Sequence, residues 1–258
     1  MIVYREIAPP PELADWVQSL WELRGAAPVD PSSILPDGCL DLVFHLGSVP
    51  GQGGGSGRPR SHGVGPLLRP LELRLAGEVH AVGVCVRPGA GHAVLGVAAE
   101  AVADAAVPLD DLVGSGAARI EEAVVTAPEG RALAALAGAL LGRWRGRAPD
   151  AACIEAARRL RALPGLPIPA LAAAIGLSVR QLERRFRRHV GLTPKAFARV
   201  ARFDRVVRLL GPGRSLAELA LDCGYADQAH FNHEFRALAG HSPGAHVAFR
   251  QYGPTGPP

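Results

Sequence analysis

Apolar positions change their period along the chain. Up to about residue 90 they alternate or come in short runs, and beyond it they recur every three to four residues. Ser33 to Leu35, the triplet Pro36-Asp37-Gly38 and the run Cys39 to Leu46 predict a β-hairpin, because Pro-Asp-Gly supplies turn dihedrals between apolar segments. The stretch from Gly47 to Arg60, which contains GQGGGSG, predicts a flexible surface loop. Alternation at Leu71, Leu73 and Leu75, and the run Val79 to Val86 stopped by Arg87-Pro88-Gly89, predict further strands. An Ala-rich helical pattern follows from Gly91 to about Val113, broken at Pro108, and Ala117 to Val125 and Glu129 to Trp144 read as two more helices. The first 145 residues thus read as an α+β domain, a small sheet or barrel plus helices. Arg143 to Asp150 has the Gly, Pro and charge of a linker.

After Ala151 the pattern is all helical. Ala152 to Leu163 is one helix, stopped by Pro164-Gly165, and Pro169 to Ile175 is a short one ended by Gly176. Ser178 caps a helix to about Val190 with Leu182 and Phe186 on its buried face. Thr193-Pro194 opens a long helix striped by Phe197, Val200, Phe203, Val207 and Leu210. The unit then repeats. Leu171, Gly176, Leu182, Phe186, Gly191, Thr193 and Pro194 have counterparts in Leu219, Gly224, Phe231, Phe235, Gly240, Ser242 and Pro243, at an offset of 48 residues before the turn and 49 after it. An internally duplicated helix-turn-helix, with one extra turn residue in the second copy, accounts for the order.

Charge follows the same division. Among the 258 residues the formal net charge is +4, but residues 1–149 hold 12 Arg against 16 acids, a net of −4, and residues 150–258 hold 15 Arg and one Lys against 8 acids, a net of +8. A basic C-terminal part joined to an acidic N-terminal one points to a polyanion-binding module beside something that is not one. One Lys beside 27 Arg, with abundant Ala, Gly and Pro, matches a high-GC bacterial coding bias, so the Arg excess alone carries little weight. Four dispersed cysteines without a CxxC pair, no secretory pattern at the N-terminus and no run of 18 apolar residues fit a soluble protein of the cytoplasm without a membrane partner.

The helix Ser178 to His189 carries the strongest chemistry. With Leu182 and Phe186 buried, Arg180, Glu183, Arg184 and Arg187 share an exposed face; a major groove admits one such helix, and Arg near its start can pair bidentately with guanine. A solvated charged face is the bland alternative. In the second copy Gln228, Ala229, His230, Asn232 and His233 point outward, a set rich in hydrogen-bonding groups but poor in charge, with Arg236 and Arg250 left for phosphates.

Residues 152 to 250 resemble the DNA-binding domain of AraC/XylS-type transcription regulators. The resemblance rests on LAAAIGLSVRQLERRFRRHVGLTP and LAELALDCGYADQAHFNHEFRALAGHSP, joined by ARVARFDRVVRLL. It implies an all-α domain of two helix-turn-helix units joined by a long helix, with base contacts from Arg180, Glu183 and Arg184 and from Gln228, Ala229 and His233. The two units would meet successive major-groove faces roughly 34 Å apart. The family usually has Arg where His233 stands, which implies a weaker grip by the second unit. LPDGCLDLVFHLG and VGVCVRPGAG are similar to an uncharacterised domain that precedes some actinobacterial domains of this type. The organisation expected is a sensing or dimerisation domain over 1–145, a linker over 146–151, the DNA-binding domain over 152–250 and a flexible tail over 251–258. Partners implied are double-stranded DNA, RNA polymerase, a small-molecule effector and a second copy of the chain, with a role as an activator.

For an effector pocket in the first domain the candidates are Asp37, Asp41, His45 and Trp21, a few polar groups beside an aromatic. Trp16, Phe44 and Trp144 are further aromatic candidates, and for all of them core or turn roles compete. Cys39, Asp41 and His45 share a strand face by parity but form no recognised metal signature, so neither a metal, a cofactor nor a catalytic site is expected. The rival reading is a thiol-based redox or alkylation sensor, or an enzyme, using Cys39 or Cys85; no base is placed beside either thiol by the sequence.

Overall fold

The computed structural model describes residues 2–46, 61–211 and 215–250, with the backbone alone at 27–32, 73–76 and 247–250. The expected loop at 47–60 and tail at 251–258, and the Arg250 side chain, lie outside the described residues. Six strands, β1 (Ile2–Ile7), β2 (Val17–Ile34), β3 (Leu40–His45), β4 (Ser61–Val64), β5 (Leu71–Val86) and β6 (Ala106–Pro108), form one antiparallel sheet in the order β1-β2-β5-β3-β4-β6. Among the described residues the sheet is open, with β1 and β6 at its two ends.

The hairpin expected around Pro36-Asp37-Gly38 does not form. Strand β5 runs between β2 and β3 and pairs with both, from Val17↔Val86 to Ile34↔Leu71 on one side and from Leu40↔Val86 to His45↔Ala81 on the other. The triplet therefore spans two strand spacings, roughly 10 Å, rather than closing one. The two strand segments expected over 71–86 are likewise one continuous strand.

Alternation sorts the sheet's side chains into two layers. Leu40, Leu42 and Phe44 of β3, Val82, Val84 and Val86 of β5, and Val17 and Leu20 of β2 pack against α3 (Gly116–Val125) and α4 (Ala132–Trp144) through Ile120, Leu136, Leu140 and Trp144. A register shift between Val17 and Ser19 lets Val17 and Leu20 share that face. Between sheet and helices, the helical reading of 91–113 keeps its break at Pro108 but is corrected before it. Gly96, at φ 82°, ends α1 (Gly91–Leu95); a 3-10 turn (Ala99–Val102) and strand β6 follow, and Pro108 precedes α2 (Leu109–Val113).

The described residues of the C-terminal half form seven helices: α5 (Ala151–Ala162), α6 (Ile168–Ala174), α7 (Val179–Val190), α8 (Pro194–Leu209), α9 (Leu216–Asp222), α10 (Gln228–Ala239) and α11 (Pro243–Arg250). Side-chain caps start them where the sequence places Ser, Thr or Asp. Ser178 forms a capping box with Gln181, and Thr193, Ser215 and Asp227 accept from the third residue on. Residues equivalent in the two copies are buried alike: Leu182 and Phe231, Phe186 and Phe235. Helix α8 joins the units ring to ring, Phe197 against Phe186 at 5.4 Å and Phe203 against Phe235 at 5.1 Å.

The two halves share an extensive boundary. Leu35 and Leu68 pack onto the C-terminal core, and Gly38, at φ 79°, leaves room for the Phe197 ring, which an added Cβ would meet at 2.9 Å. Arg161 of α5 donates to Gln18 Oε1 at 2.6 Å and to the Asp37 carbonyl at 3.1 Å, and its guanidinium lies 3.3 Å from Cys39 Sγ. The connector is tied down as well: the Trp16 indole donates to the Arg147 carbonyl, and the Asp150 N–H to that of Gly89. Among the described residues no helix is long and apolar enough to cross a membrane.

Candidate nucleic-acid interface and ligand cavity

Helix α7 divides its polar side chains between two tasks. Leu182, Phe186 and Val190 anchor it in the core. Toward its C-terminus, Arg185 reaches Asp150 Oδ2 at 2.7 Å, His189 lies 3.5 Å from the same oxygen, and Arg188 bonds His92 Nε2 at 2.9 Å. The first two tie α7 to the start of α5 and the third holds it against the N-terminal half, where Gly191 approaches Pro66 and the Ala99 carbonyl so closely that an added Cβ would meet them at 2.8 and 3.0 Å. Asp150 also accepts the Cys153 N–H as the cap of α5. Although burial disfavours its charge, these bonds to Cys153 and Arg185 and the nearby His189 hold its carboxyl below the usual carboxylate range. Arg180, Arg184 and Arg187, spaced i, i+4 and i+7, are exposed and make no ion pair among the described residues, with the half-buried Glu183 beside them.

In α10, Gln228, Ala229 and His233 are exposed, and Asp227 supplies the cap. His230 is drawn inward at its tip, with its ring at 5.4 Å from that of Tyr225 and Nε2 at 3.7 Å from Glu234 Oε1. Glu234 is itself buried and held by Arg199 and Arg202 of α8. The outward charge of this copy rests on Arg236.

On the sheet face away from α3 and α4 lies a cavity of about 360 Å³. Asp37, Asp41, His45 and Trp21 all line it, whereas Phe44 and Trp144 belong to the opposite layer and Trp16 packs against it. Gly83 makes the space for Trp21, since a Cβ there would fall 2.2 Å from the indole. The indole Nε1 then donates to Asp41 Oδ1 at 2.9 Å. Desolvation, with Asp37 and Glu6 nearby, pushes the Asp41 carboxyl up to about 8. Burial likewise raises Asp37, against the bond from the Cys39 N–H and the charge of Arg161. Tyr4 and Glu6 of β1 and Asp204 and Arg208 of α8 complete the wall, and Asp204 pairs with Arg208 at 2.8 Å.

Cys39 and Cys85 are buried side by side, with their sulfurs and an Asp37 oxygen within 4.8 Å of one another. A hydrogen bond to Cys39, together with burial, holds the Cys85 thiol well above its ordinary value.

Residues 171–248 match the family model described as "Helix-turn-helix domain", and residues 5–108 match "Domain of unknown function (DUF6597)". Over 75 residues, 29% of this chain, the sequence is 37% identical to the HTH-type transcriptional activator RhaS of Escherichia fergusonii and 36% identical to that of Salmonella arizonae. The match spans 27% of the length of either relative. The C-terminal region is an AraC-type helix-turn-helix domain. Among solved structures, an AraC-type regulator from Chromobacterium violaceum is 30% identical, covering 38% of this chain and 92% of that one at a TM-score of 0.36. Unsaturated fatty acid bound ToxT from Vibrio cholerae is 7% identical, covering 96% and 94% at a TM-score of 0.46.

Sequence reasoning did not find the AraC-type domain's share in the cavity. The i, i+4 spacing of Asp204 and Arg208 announces a helical ion pair, but nothing local says that this pair meets the N-terminal sheet. Arg161 carried no signal beyond its charge.

Proposed function

We propose that the chain is a sequence-specific DNA-binding transcription regulator whose AraC-type domain reads two major-groove faces and whose N-terminal half holds a small-molecule effector. The observation that carries the reading is the division of labour on α7: Arg185, Arg188 and His189 are spent on internal contacts, while Arg180, Arg184 and Arg187 stand exposed from the helix start onward. A helix N-terminal half bearing free guanidinium groups suits bidentate pairing with guanine, and the flanking arginines suit phosphates. The second reader, α10, offers Gln228, Ala229 and His233, with His230 partly occupied by Glu234. The cavity on the sheet supports effector binding, and its wall from α8 gives an effector a route to the reading helices, by favouring one arrangement of them over another. Contact with RNA polymerase and pairing with a second copy belong to this reading, as does activity in a bacterial cytoplasm.

The thiol reading is the weaker one. Both sulfurs are buried and Cys85 is held protonated, the opposite of what a reactive thiolate needs. No catalytic role is assigned to either.

Selection from a random duplex library with the full-length protein at fixed salt tests the proposal. Enrichment of a motif with two half-sites about one helical turn apart is expected. Arg180→Ala and Arg184→Ala should each cost about 1 to 3 kcal/mol on that motif and relax preference at one base. Equal loss on every sequence would reassign them to phosphates, and no enrichment with or without cell extract would defeat the regulator reading.

A further inference from the structure

The cavity's walls are chemically lopsided. Leu23, Val43, Val79 and Ala81 make it largely apolar, while its acids outnumber its available cations. Asp204 is satisfied by Arg208, and Asp37 by the Cys39 N–H and the nearby Arg161. Asp41 and Glu6 are different. Asp41 takes its hydrogen bond from the neutral Trp21 indole, and Glu6 from the Tyr4 hydroxyl at 3.4 Å, with no cationic side chain bonded to either among the described residues. The rings of Tyr4 and Trp21 stand 6.2 Å apart, tilted by 31°, and both line the cavity with those carboxyls. A further polar atom waits there: Ser19, 5% exposed, lines the cavity, and its Oγ makes no hydrogen bond among the described residues.

We infer that the cavity takes an organic cation, a primary or secondary ammonium on an aromatic or aliphatic body, with the ammonium between Asp41 and Glu6 and an N–H donated to Ser19 Oγ. This rests on the effector reading of the cavity and deepens it. An ammonium supplies what each wall group lacks: charge for two carboxyls, N–H donors for their oxygens and for Ser19, and a cation for the aromatic faces. Burying a carboxylate without a cationic partner is costly, and the raised affinity of Asp41 for its proton expresses that cost. The apolar walls take the body, and about 360 Å³ admits one of roughly two fused rings.

The test uses the full-length protein and three probes of one shape: tryptamine, the neutral indole-3-ethanol and the anionic indole-3-propionate. Calorimetric titration and thermal shift should show tryptamine binding at least about tenfold more tightly than either of the others. Asp41→Asn, which keeps an oxygen for the Trp21 indole, should erase that preference, and Glu6→Gln, at an exposed position, should reduce it without loss of fold. Tighter binding of the alcohol or the propionate would overturn the cation and leave the cavity a ligand site of another class. Amine binding unchanged by both variants, or no binding by any probe, would also overturn it. DNA affinity of the same samples on a selected motif reports independently whether the regulator reading stands.

Discussion

Asp41 shows how a single residue is set by its neighbours. The same strand register that puts Leu40 and Leu42 into the helix-backed layer turns Asp41 the other way, against Trp21. With its carboxyl pushed up to about 8 in the fold and near 3.9 in an unfolded chain, the folded state holds the proton more tightly. Its contribution is therefore complete below about pH 4 and is lost as pH rises toward 8, because only the unfolded chain releases the proton over that window. Asp41→Asn should gain in melting temperature relative to the parent as pH is raised from 5 to 8. A difference that stays flat would mean that Asp41 titrates as an ordinary exposed acid.

At the scale of elements, glycines that look equivalent in the sequence are not. Gly176 and Gly191 both have left-handed backbone, φ 71° and 94°, but nothing lies within 4 Å of a Cβ at Gly176, whereas at Gly191 it would meet Pro66 and the Ala99 carbonyl. Gly176→Ala should cost about 1 to 2 kcal/mol for conformation alone. Gly191→Ala should cost more, by pushing α7 off the N-terminal half; urea midpoints compare the two, and equal costs would show that this docking contributes nothing. The same contrast explains what the sequence made legible. Caps, turn glycines and a 3.6-residue stripe are local signals, so α5 to α8 begin and end within a residue or two of expectation, and the duplication places α9 and α10. Strand order is not local. Pro36-Asp37-Gly38 looks the same whether it closes a hairpin or crosses a strand, and the residues that decide between them, 71–86, come more than thirty positions later. The four pocket candidates Asp37, Asp41, His45 and Trp21 were legible as polar and aromatic groups near one strand; Ser19, Glu6 and the α8 pair were not, because each reaches the cavity through long-range pairing or docking.

Across the whole molecule, the boundary between halves is bonded as well as packed. Arg161 alone links α5 to Gln18 of β2, to the Asp37 carbonyl and to Cys39. Its replacement by Leu leaves buried acceptors unmet and should cost roughly 2 kcal/mol or more. All three tryptophans, Trp16, Trp21 and Trp144, lie in the first half, while most of the helix lies in the second. Tryptophan fluorescence and far-ultraviolet circular dichroism should therefore trace one coincident unfolding transition in the parent protein and separate in Arg161→Leu. Separate transitions in the parent would mean that the halves fold independently of this boundary.

Helix α8 has a consequence for the DNA itself. Its 16 residues run about 24 Å without an internal glycine or proline, and one of its phenylalanines is locked to each reading helix. A spacer of that stiffness fixes rotational phase as well as separation. One extra base pair between the half-sites turns the second about 35° around the duplex axis and moves it 3.4 Å along. The protein should therefore behave as a gauge for operator length, with affinity falling sharply for a one-base-pair insertion and reaching the level of a single half-site at five, which mobility-shift titration of a spacer series would measure.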